Sequence, residues 1–148
     1  MSRSARPTAF LSPEERARVE AAVAAAELDT SGEIRVVISR RVKGDALDAA
    51  LGVFRRLKMH ETRERNGVLI LLAAASRTFA ILGDEGIHRF VGPEGWAHLR
   101  DGMAERFAQD DFGAGLAYAV EEVGRVLRQH FPRREDDRDE LPNQIVEE

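Results

Sequence analysis

The sequence contains no cysteine. That single absence excludes disulfides, thiolate metal centres and cysteine nucleophiles together. It has no apolar run near the ~20 residues that a membrane-crossing helix needs, so no transmembrane segment is expected. The first ten residues, MSRSARPTAF, lack the apolar centre and small-residue cleavage site of a secretory leader, which makes the cytoplasm the expected location. A basic excess is missing too. The net charge is −4, from 22 Lys and Arg against 26 Asp and Glu. This argues against nucleic acid as a partner, because its readers carry a basic face. Repeats and low-complexity segments are also absent. What is present is a chain of 148 residues, 43% apolar, enough for one domain with its own core.

Residues 63–92 organise the rest. GVLILLA (67–73) is the most apolar run, rich in branched aliphatics and bounded by polar residues, and reads as a strand buried on both faces. Ser76-Arg77 turns the chain into TFAIL (78–82), so an antiparallel hairpin is predicted. Upstream, residues 1–11 read as a loose leader. Ser12-Pro13-Glu14-Glu15 then starts a helix, with serine as N-cap, proline in the first turn and Glu15 closing a capping box. Asp29-Thr30-Ser31-Gly32 is turn chemistry. EIRVVIS (33–39) reads as a strand, and its mixed second face predicts less burial than GVLILLA has. A helix follows Gly44-Asp45, with Leu47, Leu51, Phe54 and Leu57 on one face. Strand, helix and strand predict a parallel pair with a right-handed crossover. After the hairpin come a short helical turn over 85–91, a helix from Gly92-Pro93 carrying Trp96, Leu99, Met103 and Phe107, and a last helix capped at Asp110-Asp111 and ending near 130–132. Residues 133–148 form a charged tail, in which Leu141-Pro142 and Ile145-Val146 are candidates for a short extended clip. The predicted fold is α/β, a small three-layer α/β/α sandwich with a mixed sheet of three to four strands.

The topology has a chemical corollary. Parallel strands at 33–39 and 67–73 begin at the same sheet edge, and the returning strand 78–82 ends there. The loops at 30–33, 63–66 and 83–86 should therefore share one rim. Glu33, Asn66, Asp84 and Glu85 offer hard oxygen donors of the kind Ca²⁺ takes, with Mg²⁺ second to it. The competing reading is that Asp84 and Glu85 only cap the helical turn that follows. Arg63 and Arg65, beside the acidic rim, are candidates for holding a phosphate, or for surface ion pairs.

Other catalytic patterns fail on their spacing. His60-Glu61-Thr62-Arg63-Glu64 lacks the second histidine of a zinc-protease helix. Gly83-x-x-Gly86 lacks the lysine and the glycine spacing of a phosphate loop. Ser31 and Ser39 have no nucleophile-elbow context. No catalytic residue is assigned.

The order of a capped helix, TSGEIRVVIS, a helix, TRERNGVLILLA, RTFAILGDEGIHRFVG, Trp96 and FAQDDFGAGLAYAVEEVGRVLRQHFP resembles the TPM domain family over residues 12–132, and the tail segment DELPNQI resembles that of its short stand-alone bacterial members. The family takes its name from a thylakoid lumen protein, a photosystem II repair protein and a nematode acetylcholine-receptor modulator. The resemblance implies a Rossmann-like α/β/α sandwich. It also implies three functional expectations: Ca²⁺ binding, weak acid phosphatase activity on phosphomonoesters, or modulation of a protein complex. Many relatives carry a signal peptide and a membrane helix, neither of which is visible here. The leading expectation is a Ca²⁺-binding interaction module with an unidentified protein partner, monomeric or weakly oligomeric. A metal-assisted phosphatase and an adaptor are the alternatives.

Overall fold

The structure, a computed structural model, describes residues 3–133 and 145–148. Its elements run α1 (Pro7–Phe10), α2 (Pro13–Glu27), β1 (Glu33–Ser39), α3 (Ala46–Arg56), a 3₁₀ turn (Met59–Glu61), β2 (Gly67–Ala73), β3 (Thr78–Gly83), α4 (Glu85–Ala108), α5 (Phe112–His130) and β4 (Val146–Glu147). The sheet order is β3-β2-β1-β4. β1 and β2 are parallel, with Glu33 opposite Gly67 and Ser39 opposite Ala73. β3 returns antiparallel to β2, placing Gly83 opposite Val68. The expected mixed sheet and α/β/α layering are therefore the observed ones.

Every residue of β2 is buried because the strand separates two cores. Val68, Ile70 and Leu72 point to a large core shared with α2, α4 and α5, whereas Leu69 and Leu71 point to a smaller one under α3. β1 is divided the same way, with Ile34, Val36 and Ile38 on the large side and Val37 on the small side. The alternation of side chains along a strand produces this split directly.

The capping box that starts α2 is complete: Ser12 Oγ accepts from the Glu15 amide at 3.1 Å, and Glu15 Oε1 accepts from the Ser12 amide at 3.0 Å. The predicted stripe of Trp96, Leu99, Met103 and Phe107 is buried. The two helical pieces predicted after the hairpin are both present within α4, which breaks at Gly92, where φ is 71° and ψ is 168°. That left-handed region is open to glycine at little cost. Trp96 Nε1 donates to His88 Nδ1 at 2.9 Å across the break.

Three expectations need correction. The expected leader is anchored at its described ends, with Phe10 and Leu11 buried in the large core and Arg3 holding both oxygens of Glu15, while Ser4, Arg6, Thr8 and Ala9 are exposed. β1 is buried along its whole length, Arg35 and Ser39 included. Burial lowers the pKa of the Arg35 guanidinium, and the nearby charges of Glu27 and Glu33 oppose that shift and balance it electrically. Finally, α3 meets the sheet on only part of its predicted face, Phe54 and Leu57 packing on the small core as expected. Ala50 and Phe54 are inside, whereas Leu47 and Leu51 remain 50% and 41% exposed. Ala46, Ala49 and Ala50 take inner positions in the first turns, and Leu47 and Leu51 fall to the flank there.

The clip expected at Ile145-Val146 is present as β4, parallel to β1. Leu141-Pro142 lies outside the described residues.

Candidate functional site

The rim forms where β1 and β2 begin and β3 ends. Gly67 holds it together, facing Glu33 in the parallel ladder and accepting the Asp84 amide on its carbonyl at 2.9 Å. The loop before β2 is fixed against the start of α4, where the Gly86 amide donates to the Arg65 carbonyl at 2.8 Å. Close approach of backbones is the reason for glycine here. A Cβ on Gly86 would lie 2.2 Å from the Glu64 carbonyl oxygen and 2.5 Å from that of Arg65. A Cβ on Gly83 would meet the Trp96 ring at 2.3 Å.

The predicted donors share this rim but do not converge on one point. Asp84 is buried and doubly committed. Its Oδ1 caps α4 by accepting the Glu85 amide at 2.8 Å. Both of its oxygens also accept from Arg65, from Nε at 2.7 Å and from a terminal nitrogen at 2.9 Å. Glu85 is exposed, with its carboxylate 3.5 Å from the same guanidinium. Arg65 thus lies between two of the four predicted ligands, on a backbone at φ 53°. The Asp84 hydrogen bonds raise the guanidinium pKa further above its already high value, so its charge is permanent.

Asn66 joins a second set. Its amide nitrogen donates to Ser31 Oγ at 3.2 Å and lies 3.4 Å from a Glu64 carboxylate oxygen, which itself accepts from Ser31 Oγ at 2.5 Å. Glu33 is across β2 from Asp84, within the electrostatic reach of Arg35. Among the described residues, no group of three or more His, Asp or Glu side chains is arranged to hold a metal ion. The donor chemistry suits Ca²⁺, but at Asp84 and Glu85 a cationic side chain already supplies the neutralising charge.

Of the two arginines considered for phosphate, Arg65 is engaged by the carboxylates, and Arg63 is exposed two residues earlier on the loop. A cleft of about 200 Å³ opens beside Asp84. Leu51, Phe54 and Leu82 form its apolar lining, with Arg55, His60 and Arg65 among its polar residues. Sequence reasoning missed Glu64 as the hub of the Ser31–Asn66 set. Its only sequence signal was its position two residues before Asn66, on the loop entering the central strand. It also missed Arg16 and Arg56, which bind the tail strand and are described below.

Among the described residues no helix is long and apolar enough to cross a membrane. Comparison with functionally curated proteins gives no significant match. The fold does match solved structures. The NMR structure of the BA42 protein from the psychrophilic bacterium Bizionia argentinensis is 42% identical, with a TM-score of 0.83, covering 93% of this chain and 94% of that one. The N-terminal domain of a P. gingivalis protein is 20% identical at a TM-score of 0.68, covering 84% and 82% of the two chains. The N-terminal domain of the cg2496 protein from Corynebacterium glutamicum is 14% identical at 0.62, covering 93% and 81%. The latter two agree in fold alone. The TPM domain matches residues 5–126, which is most of the chain, and the protein belongs to the TPM domain family.

Proposed function

We propose that the chain is a divalent-cation-responsive interaction module, in which Ca²⁺ exchanges with the Arg65 guanidinium at the rim. The observation that carries this reading is the position of Arg65 between Asp84 and Glu85. Two carboxylates flank one charge, on a side chain that is 44% exposed. Hard oxygens from Asp84 and Glu85, supplemented by water, are the donors Ca²⁺ prefers over Mg²⁺, whose octahedral shell is stricter. Glu33 and Asn66 would support the rim from the neighbouring strand starts. The Leu51, Phe54 and Leu82 cleft beside Asp84 is the surface whose character the exchange would alter, because Arg65 is part of its wall.

Calorimetric titration of Ca²⁺ tests this reading. Removing the competing charge in Arg65→Gln should tighten binding at least threefold. Asp84→Asn, which keeps an acceptor for the helix cap, should abolish the heat. At a Ca²⁺ concentration ten times the Kd, mass action predicts about 1.4 kcal/mol of stabilisation. Absence of heat and of thermal shift at millimolar Ca²⁺ in both the wild type and Arg65→Gln would refute the reading.

A second reading draws on the same cleft, where Arg55, His60 and Arg65 could receive a phosphomonoester. Its test is phosphate release from an aryl phosphate between pH 5 and 8, which should fall sharply in Arg65→Gln. Unaltered release in that variant, or none in the wild type, removes it.

A further inference from the structure

The outer edge of β1 is not left bare. Val146 and Glu147 pair with Val37 and Ile38 in parallel register. The Glu148 amide donates to the Ile38 carbonyl at 2.9 Å, and the Arg40 amide donates to the Glu148 carbonyl at 3.3 Å. Because side chains alternate along a strand, the four residues 145–148 divide between the two faces of the sheet. Ile145 and Glu147 turn toward α2. Ile145 is buried in the large core, and Arg16 grips both oxygens of Glu147 at 2.5 and 2.7 Å. Val146 and Glu148 turn toward α3. Val146 packs on the small core, and Arg56 pairs with the Glu148 carboxylate. Each face therefore reads one apolar residue and one acid. An arginine on either side recognises the acid, and the main chain of β1 supplies the ladder.

This is the arrangement of a peptide-recognition edge, in which backbone hydrogen bonds give affinity and alternate side chains give specificity. The described part of its present occupant is short. The ladder covers two residue pairs, and the two ion pairs are only partly shielded, with side-chain exposures of 24% and 19% for Arg16–Glu147 and 54% and 27% for Arg56–Glu148. The residues that grip the segment come from distant parts of the chain, and Arg16 and Glu147 are 131 positions apart. The described groups that grip the segment thus belong to elements formed far from it in the chain. Among the described residues the site is built by α2, β1 and α3.

We propose that the β1 edge between Arg16 and Arg56 is a strand-addition site for a protein partner presenting an extended apolar-apolar-acid-acid segment, and that residues 145–148 are its resident competitor. The partner would pair with Val37, Ile38 and Arg40, bury one apolar side chain on each face, and place its two acids on the two arginines. Occupation of the edge by the chain's own segment would keep the site closed to weaker or unmatched strands. An unguarded edge strand otherwise pairs indiscriminately. The site lies at the β1 edge of the sheet, whereas Asp84 follows β3 at the other edge, so no rim donor is part of it.

The test uses the full chain carrying Glu147→Lys and Glu148→Lys, which repel the resident segment from Arg16 and Arg56. The probe is a fluorescein-labelled pentapeptide, Gln-Ile-Val-Glu-Glu, read by anisotropy. Saturable binding to this variant, at least tenfold tighter than to the wild type, is expected. Adding Arg16→Ala and Arg56→Ala should weaken it at least tenfold, as should exchanging the peptide for Gln-Ile-Val-Gln-Gln. The proposal is overturned by an absence of binding at millimolar peptide, or by binding indifferent to the arginines and the acids. It is likewise overturned if sedimentation shows that wild-type chains exchange the segment reciprocally as a dimer, because the occupant is then a second copy. Should the charge-reversed variant fail to fold, excess peptide titrated into the ¹⁵N-labelled wild type must shift the Ile38 and Arg40 amides, and unmoved amides would end the proposal.

Discussion

Replacing Glu15 with glutamine removes one negative charge from the point where the chain's first residues, α2 and α5 meet. The Glu15 carboxylate accepts from Arg3 at 2.6 and 2.8 Å, from the Ser12 amide at 3.0 Å and from the Gly113 amide at 3.2 Å. Burial pushes its pKa up, but the Arg3 hydrogen bonds and the Ser12 and Gly113 amides outweigh that and bring it from 4.5 down to about 2. A carboxyl whose pKa is depressed on folding contributes stability that is complete above its unfolded value. It loses that contribution as the pH falls toward the folded value. Here the window runs from about pH 4.5 down to about pH 2. At 1.36 kcal/mol per unit the shift corresponds to at most about 3.4 kcal/mol, and solvent screening at this partly exposed site reduces it to about 1–2 kcal/mol. Glu15→Gln should therefore unfold in urea at pH 7 with about 1–2 kcal/mol less stability, a loss of a few degrees in Tm for a domain of this size. Between pH 4.5 and 2 the wild type should lose that advantage and converge on the variant. Equal stability at pH 7, or parallel curves throughout the acid range, would refute the argument that this cluster anchors the N-terminal segment through charge.

Gly86→Ala forces a methyl group against the carbonyls of Glu64 and Arg65. It should cost about 1–3 kcal/mol by overpacking and separate the rim loop from α4, seen as changed amide shifts across 64–67 in NMR. Phe54→Ala should cost about 3–5 kcal/mol in chemical denaturation, whereas Leu47→Ala should stay within about 0.5 kcal/mol. Comparable losses at the two positions would mean that α3 packs on the whole of its predicted face after all.

The sequence was most informative where one local rule dominates. Ser12-Pro13-Glu14-Glu15 marks a helix start by hydrogen-bonding logic alone, and that box is formed. EIRVVIS and GVLILLA are strands over the residues their composition suggested, and their parallel pairing follows from the intervening helix. Strand direction then gathers the three rim loops. The sequence was less informative where tertiary context overrides side-chain size. Nothing local says that Ala50, instead of Leu51, faces the sheet, because the choice depends on how closely α3 approaches β2 and β3. Nor does the sequence pair Arg65 with Asp84. That pairing requires Arg65 to adopt a left-handed backbone while a neighbouring glycine admits the loop. Type and order of the charged residues suggested an ion site, and only their placement shows which positive charge is already present.

The chain contains one tryptophan, and its indole rests on Gly83, the residue immediately before Asp84. It is 6% exposed and bonded to His88 across the bend in α4. Nature has thus placed a fluorophore one peptide unit from the carboxylate on which the ion reading turns. Its emission maximum and lifetime give an unlabelled optical record of every titration suggested for the rim. The β4 edge, remote from the indole, should leave that signal dark to its own ligands.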